Sequence, residues 1–208
     1  VYKGYMQLEY YYWYFDKALS SNFCDEVIKF SKDKQKLTGV VGAPGKLKDL
    51  KEVRDTNISW IDDQWVMNEI YPYVNIANKN ANWNFEISAA ETAQFTEYKP
   101  GQFYGWHLDQ YEKPYNSSED IKIKDPILIG KIRKLSVSVL LSDPKDYKGG
   151  DLQFQFRNKT DPNIIDTVDI KSKGSVIVFP SNVWHQVTPV TKGIRHSLVI
   201  WNLGQPYK

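Results

Sequence analysis

From Glu91 onward the chain is a succession of short stretches suited to strands. Thr92–Tyr98, Phe103–Asp109, Lys134–Leu141, Leu152–Arg157, Ser175–Phe179 and Arg195–Asn202 are each rich in β-branched or aromatic residues. Clusters of Gly, Pro, Asn and Asp separate them, a pattern that predicts an all-β sandwich or barrel for this part of the chain. Aromatic residues make up 14%, with seven Trp and fourteen Tyr, which fits large side chains packed between sheets.

The first third reads differently. Tyr10 to Phe15 is an unbroken aromatic run that suits an extended segment, packed on a sheet or forming part of a peptide groove. Ser20, Ser21 and Asn22 offer N-caps for a helix whose apolar positions Phe23, Val27, Ile28 and Phe30 follow helical spacing. A second helix is expected from Asp62 and Asp63 through Trp65, Val66, Glu69 and Ile70, with Pro72 ending or kinking it. Two polar stretches, 39–52 and 111–130, are candidate flaps. With no repeat or linker in sight, the expectation is one α+β domain over 1–208, with helical support mainly in 16–85 and the β core mainly in 86–204.

Charge excludes some partners. Lys+Arg 27 against Asp+Glu 25 leaves a net charge of +2, so nothing electrostatic favours nucleic acid or an anionic membrane. No long apolar run suggests a membrane span, and no signal-peptide pattern opens the chain. The single cysteine, Cys24, excludes an internal disulfide and fits a reducing compartment, so a cytoplasmic location is expected.

The chemistry gathers on few residues. His107 and Asp109 are two apart, and on a strand they project from the same face. The chain has only three histidines; His185 lies just past an apolar strand, and His196 follows Arg195 on the opposite face, where a structural role is expected. Two imidazoles and one carboxylate form a facial triad that holds iron(II) and leaves coordination positions open. Arg195, at the start of the last apolar strand, needs an anionic partner if buried, and the far end of a dicarboxylate would satisfy it bidentately. Taken alone, an H-x-D pair on a strand is more often a surface feature, and a lone arginine a structural ion pair.

The surrounding residues carry a resemblance. Glu91-x-x-Gln94-x-x-x-Tyr98-x-x-Gly101-Gln102-x-Tyr104-x-x-His107-x-Asp109 resembles the motif leading to the iron ligands of prolyl 4-hydroxylases. It is also similar to related bacterial hydroxylases of the iron(II)/2-oxoglutarate dioxygenase superfamily. Further matches follow in order: Arg133, Leu141-Ser142-Asp143-Pro144, Lys148-Gly149-Gly150-Asp151-Leu152, His185-x-Val187-x-Pro189-Val190, Arg195 and Trp201. The resemblance covers roughly residues 52–202 and is weakest over the N-terminal third.

The resemblance implies a double-stranded β-helix, or jelly roll, with iron near its open end. It implies Fe(II) bound by His107, Asp109 and His185 as the catalytic centre. It places 2-oxoglutarate against Arg195 and the Tyr98 hydroxyl, with Ser136 as a further donor and Leu152 and Trp201 as pocket walls. It implies substrate contacts at Arg54, Glu91, Arg133 and Trp201, with a buried Arg54–Glu91 pair as the competing structural role. The implied activity consumes O2, decarboxylates 2-oxoglutarate to succinate and CO2, and hydroxylates a C–H bond of a prolyl residue in a peptide or protein, with ascorbate as reductant. Prolyl 4-hydroxylases commonly have lysine where this chain has Arg195, a departure that bears on the substrate rather than the cofactor. The alternatives are a hydroxylase of a free amino acid or small molecule, and a cupin-like metal protein that does not use 2-oxoglutarate.

Overall fold

The computed structural model describes residues 8–34, 37–39, 51, 53–116, 125–156 and 164–207. Residues 40–50 and 52 of the first expected flap and 117–124 of the second therefore lie outside the described residues.

Helix α1 (Ser21–Lys32) starts where the capping residues are: the Phe23 amide donates to Ser20 Oγ at 3.1 Å. Helix α2 (Gln64–Asn80) follows Asp63 and buries Val66, Ile70, Val74 and Ala77 along one stripe. Pro72 does not end this helix, which continues to Asn80. Pro72 lies on the exposed side, where water can satisfy the carbonyl it leaves unpaired.

The strands are β1 (Trp13–Phe15), β2 (Leu37–Thr38), β3 (Arg54–Asp55), β4 (Asn57–Ile61), β5 (Ala89–Ala90), β6 (Ala93–Tyr98), β7 (Phe103–His107), β8 (Ile132–Leu140), β9 (Tyr147–Gly149), β10 (Leu152–Phe156), β11 (Ile164–Thr167), β12 (Val176–Pro180), β13 (Trp184–Val187), β14 (Val190–Gly193) and β15 (Arg195–Gly204). They form a large sheet ordered β1-β12-β8-β15-β6-β4-β2, a smaller sheet ordered β11-β10-β13-β7-β3, and a β14-β9 pair. Strands β2, β3 and β4 lie within the stretch expected to be mainly helical. Both β3 and β4 join sheets of the core, because their partners β7 and β6 come from far along the chain.

Alternation along the large sheet assigns its two faces. Leu135, Val137, Val139, Val176, Val178, Leu198 and Ile200 face outward and pack with α1 and α2. Leu140, Ile177, Phe179 and Tyr98 face inward and meet Leu152, Phe154 and Val187 of the smaller sheet. Covered on both faces, β8 is buried throughout. The aromatic run closes one side of the sandwich: β1 pairs with β12, Tyr11 stacks on Phe156, and Tyr12 stacks on Phe154. No helix among the described residues is long and apolar enough to cross a membrane.

Candidate metal centre and active site

His107 and His185 stand directly opposite each other where β7 pairs with β13. Asp109 lies just beyond the end of β7, not on the strand as its spacing from His107 suggested. Two backbone amides position it there, with Asp109 N donating to Ser181 O at 3.1 Å and Gln110 N to the same carbonyl at 2.9 Å. The donor atoms converge: His107 Nε2 is 3.6 Å from Asp109 Oδ1, and His185 Nε2 is 3.4 Å from Asp109 Oδ2. Donors each about 2.1 Å from one ion and roughly at right angles would lie about 3 Å apart, so little adjustment separates this set from a ligand face.

Local bonds prepare both imidazoles. His107 Nδ1 donates to the Gly105 carbonyl at 2.7 Å, and His185 Nδ1 to the Val183 carbonyl at 3.0 Å. A carbonyl can only accept, so the proton sits on Nδ1 and the Nε2 lone pair is left for a metal. Burial, reinforced by His107, pushes His185 down to about 4, which keeps it neutral at physiological pH. Burial alone would raise Asp109, but His185, His107 and Arg133 together hold it well below the usual carboxylate range. Asp109 Oδ2 is buried and accepts no hydrogen bond among the described residues. A buried carboxylate oxygen with no partner is costly, and a divalent cation would satisfy it. The residues present fit a metal of the iron(II) type.

Arg195 is the largest side chain that is fully buried. Its Nη1 donates to Ser197 Oγ at 3.0 Å, while its Nε has no partner among the described residues. It faces Tyr98 across the β15–β6 ladder, the guanidinium carbon 5.3 Å from the ring centroid. Burial pushes the Tyr98 phenol up, keeping it protonated as a donor. Among the described residues no carboxylate pairs with Arg195, so the sandwich holds a charged group without an internal counter-ion. Leu152 lies in the same apolar cluster as Tyr98.

The structure places Ser136 elsewhere. It opposes Trp201 on the β8–β15 ladder, six residues along β15 from Arg195, or roughly 20 Å. Its hydroxyl meets Ser181 Oγ at 2.9 Å, so it supports the turn that holds Asp109. Thr96, not anticipated from sequence, stands between: it opposes Ser197, and its Oγ1 is buried without a partner among the described residues. Gln94, Thr96 and Tyr98 share one face of β6, so stepping back by two from Tyr98 would have found it.

The remaining charged residues pair differently from expectation. Glu91 bonds Arg133, not Arg54: Arg133 Nε and Nη2 each donate to one carboxylate oxygen at 2.6 Å. Tyr115 adds a third donor to Glu91 at 2.6 Å. Arg133 Nη1 reaches the Asp109 carbonyl at 3.2 Å, which ties this pair to the metal loop. The guanidinium lies 3.9 Å from the Trp201 ring and 4.6 Å from the Tyr111 ring. Arg54 donates from Nη2 to Gln94 Oε1 at 2.5 Å and from Nε to Thr56 Oγ1 at 3.0 Å, and lies over Tyr104. Tyr104 in turn stacks on His107 at 3.5 Å between centroids. Trp201 Nε1 is buried without a hydrogen-bond partner among the described residues, and Trp60 is 6.3 Å away at 39% exposure. His196, on the outer face, contacts Glu97 and Ser142.

Comparison with known proteins agrees with this geometry. The chain is 35% identical over 109 residues to a PKHD-type hydroxylase of Pseudoalteromonas atlantica, covering 52% of this chain and 41% of that protein. A PKHD-type hydroxylase of Shewanella baltica is 34% identical over 122 residues, covering 55% of this chain and 46% of that protein. The matched region thus spans less than half the length of these curated relatives. In structure, the chain resembles a viral collagen prolyl hydroxylase of Paramecium Bursaria Chlorella virus-1, with a TM-score of 0.64 at 20% identity over 94% of this chain and 97% of that one. A prolyl-4-hydroxylase of Pseudomonas putida gives 0.61 at 19% identity over 95% of each. These likenesses establish the double-stranded β-helix, with its two helices making the whole α+β. Residues 93–202, which carry the metal triad, Arg195 and both sheets' central strands, match the family model for the 2OG-Fe(II) oxygenase superfamily, and the chain belongs to that superfamily.

Proposed function

We propose that the protein is a dioxygenase that hydroxylates a prolyl residue in a peptide or protein, using Fe(II), 2-oxoglutarate and O2, with ascorbate as reductant. One observation carries this reading. A single sandwich interior contains both a His–Asp–His set, with Asp109 and His185 buried and His107 half-buried, and a buried guanidinium that has no carboxylate partner among the described residues. The first fits a cation with open positions, and the second fits the far carboxylate of a short diacid.

His107, Asp109 and His185 would hold the iron, and Arg195, Tyr98 and Thr96 the distal carboxylate of 2-oxoglutarate. When bound together, these groups supply an oxidant for an unactivated C–H bond, with 2-oxoglutarate leaving as succinate and CO2. The chain orients and shields. The carbonyls of Gly105 and Val183 fix both imidazole tautomers, and Arg133 holds the Asp109 backbone. Phe154, Phe179, Leu152 and Val187 form a dry wall that keeps bulk water from the reacting centre. Trp201 and Trp60, beside the Arg133–Glu91 pair, offer an aromatic surface for a proline ring, and Arg54 flanks Tyr104 and His107. The structural neighbours named above as prolyl hydroxylases support a peptide substrate. The buried thiol of Cys24 supports a reducing, cytoplasmic setting.

The test is succinate formation by purified protein with Fe(II), ascorbate and 2-oxoglutarate, with and without proline-containing peptides, followed by mass spectrometry. Succinate stimulated by peptide, with a product heavier by one oxygen atom on proline, is expected. Slow succinate formation indifferent to every peptide would overturn the peptide assignment and favour a free amino acid. Failure to bind 2-oxoglutarate at all would overturn the dioxygenase reading in favour of a metal protein of cupin type.

A further inference from the structure

The Lys148-Gly149-Gly150-Asp151-Leu152 segment forms the turn from β9 to β10, and no step above uses its glycines. Gly149 and Gly150 both adopt positive φ, +71° and +64°. The turn is fastened to the β13–β14 connection: Gly150 N donates to Pro189 O at 3.1 Å, Asp151 N to Thr188 Oγ1 at 2.8 Å, and Thr188 N to Asp151 O at 2.9 Å. It cannot yield easily.

Gly150 meets a second demand besides its φ. A Cβ there would sit 2.7 Å from Arg195 Cδ, 3.0 Å from Val190 Cγ2 and 3.6 Å from Arg195 Nε. Ordinary van der Waals contact begins near 3.4 Å, so the arginine would have to move by at least about 0.7 Å. The cavity beside it, lined by Leu140, Tyr147, Gly150, Leu152, Ile177 and Arg195, is only about 10 Å³. That is barely room for one water, so a displaced guanidinium cannot be taken up there.

We infer that Gly150 is a positioning residue for the co-substrate: its missing side chain lets Arg195 lie back against the β9–β10 turn and so sets where the distal carboxylate is held. This rests on the assignment of Arg195 as the clamp for 2-oxoglutarate. Bidentate recognition of a carboxylate tolerates little displacement, and a shift approaching 1 Å can cost up to about a hundredfold.

The experiment compares Gly150→Ala, Gly101→Ala and Arg195→Ala with wild type, titrating 2-oxoglutarate calorimetrically into Fe(II)-loaded protein without oxygen and measuring Fe(II) affinity separately. Gly101 has φ +87° and nothing within 4 Å of a Cβ, so its alanine variant carries backbone strain without the contact. The expected result is a loss of 2-oxoglutarate affinity of about tenfold or more in Gly150→Ala relative to Gly101→Ala, at equal Fe(II) affinity. Equal affinities for those two variants, with Arg195→Ala impaired, would overturn the role of Gly150 and leave the clamp intact. Unimpaired binding by Arg195→Ala would overturn the clamp and this inference with it. Should Gly150→Ala fail to fold, the double variant Gly150→Ala/Arg195→Ala decides. Recovery of folding there supports the contact, and continued failure beside a folded Arg195→Ala overturns it.

Discussion

Replacing Arg133 with alanine should destabilise the protein and weaken its metal centre together, and the size of each effect follows from what the guanidinium touches. Arg133 is 7% exposed and makes two 2.6 Å bonds to Glu91, one 3.2 Å bond to the Asp109 carbonyl, and face contacts with Trp201 and Tyr111. Burial opposes its charge, but Glu91 and the surrounding tyrosines hold it firmly protonated. Alanine would leave the Glu91 carboxylate, whose side chain is 12% exposed, with only Tyr115 among the described residues to satisfy it. Breaking a buried pair in this way costs about 3–5 kcal/mol. For a chain of this size that corresponds to a fall in Tm of about 6–20 °C. The Arg133→Ala/Glu91→Ala variant removes the stranded charge and should recover most of that loss. The Asp109 carbonyl bond stays broken in both variants, so the double variant should still bind Fe(II) more weakly than wild type. Urea and thermal unfolding give the first quantity, and calorimetric Fe(II) titration the second. A single variant that loses less than about 1 kcal/mol, or a double variant no more stable than the single, would refute the argument that this pair is buried and coupled.

Other outcomes are equally specific. His107→Ala should lose Fe(II) binding by calorimetry while remaining folded by circular dichroism; retained stoichiometric binding would refute the triad. Thr96→Val removes a buried hydroxyl that has no partner, so Tm should hold or rise slightly, while 2-oxoglutarate affinity falls by about tenfold, the worth of one hydrogen bond. An unchanged affinity would remove Thr96 from the pocket. Burial, partly offset by Lys173, pushes the Cys24 thiol up to about 11, so at pH 8 a disulfide reagent should leave it untouched until the protein unfolds. Because this folded pKa lies above the unfolded value near 9, its contribution to stability is complete below pH 9 and is lost as pH rises toward 11. Denaturant midpoints across that window, compared with Cys24→Ser, check the sign.

Several elements were legible because their signals are local. The α1 start follows from Ser20 Oγ accepting the Phe23 amide, and the strands of 93–202 follow from alternation and turn residues. The helix α2 signal was equally local, but Pro72 does not end the helix. Whether a proline ends a helix depends on whether its freed carbonyl meets water or core, and that is a tertiary matter. Strands β3 and β4 were hidden for a similar reason: two to five residues carry little periodic signal, and only their distant partners β7 and β6 make them strands.

By itself the sequence determined the chemical inventory of the site: His107, Asp109, His185 and Arg195 in a β-rich chain whose one other histidine, His196, follows Arg195, enough to name the class of chemistry. Only the tertiary structure decided who faces whom. Sheet register set His107 against His185 and Arg195 against Tyr98, and it set Thr96 against Ser197, two residues along β15 from Arg195. Packing gave Glu91 to Arg133 rather than Arg54, and left Arg195 Nε and Asp109 Oδ2 without hydrogen-bond partners among the described residues. The division has a physical reason: residue type and short spacing are properties of one strand, whereas register, burial and unmet hydrogen bonds arise only when strands far apart in the chain are laid side by side.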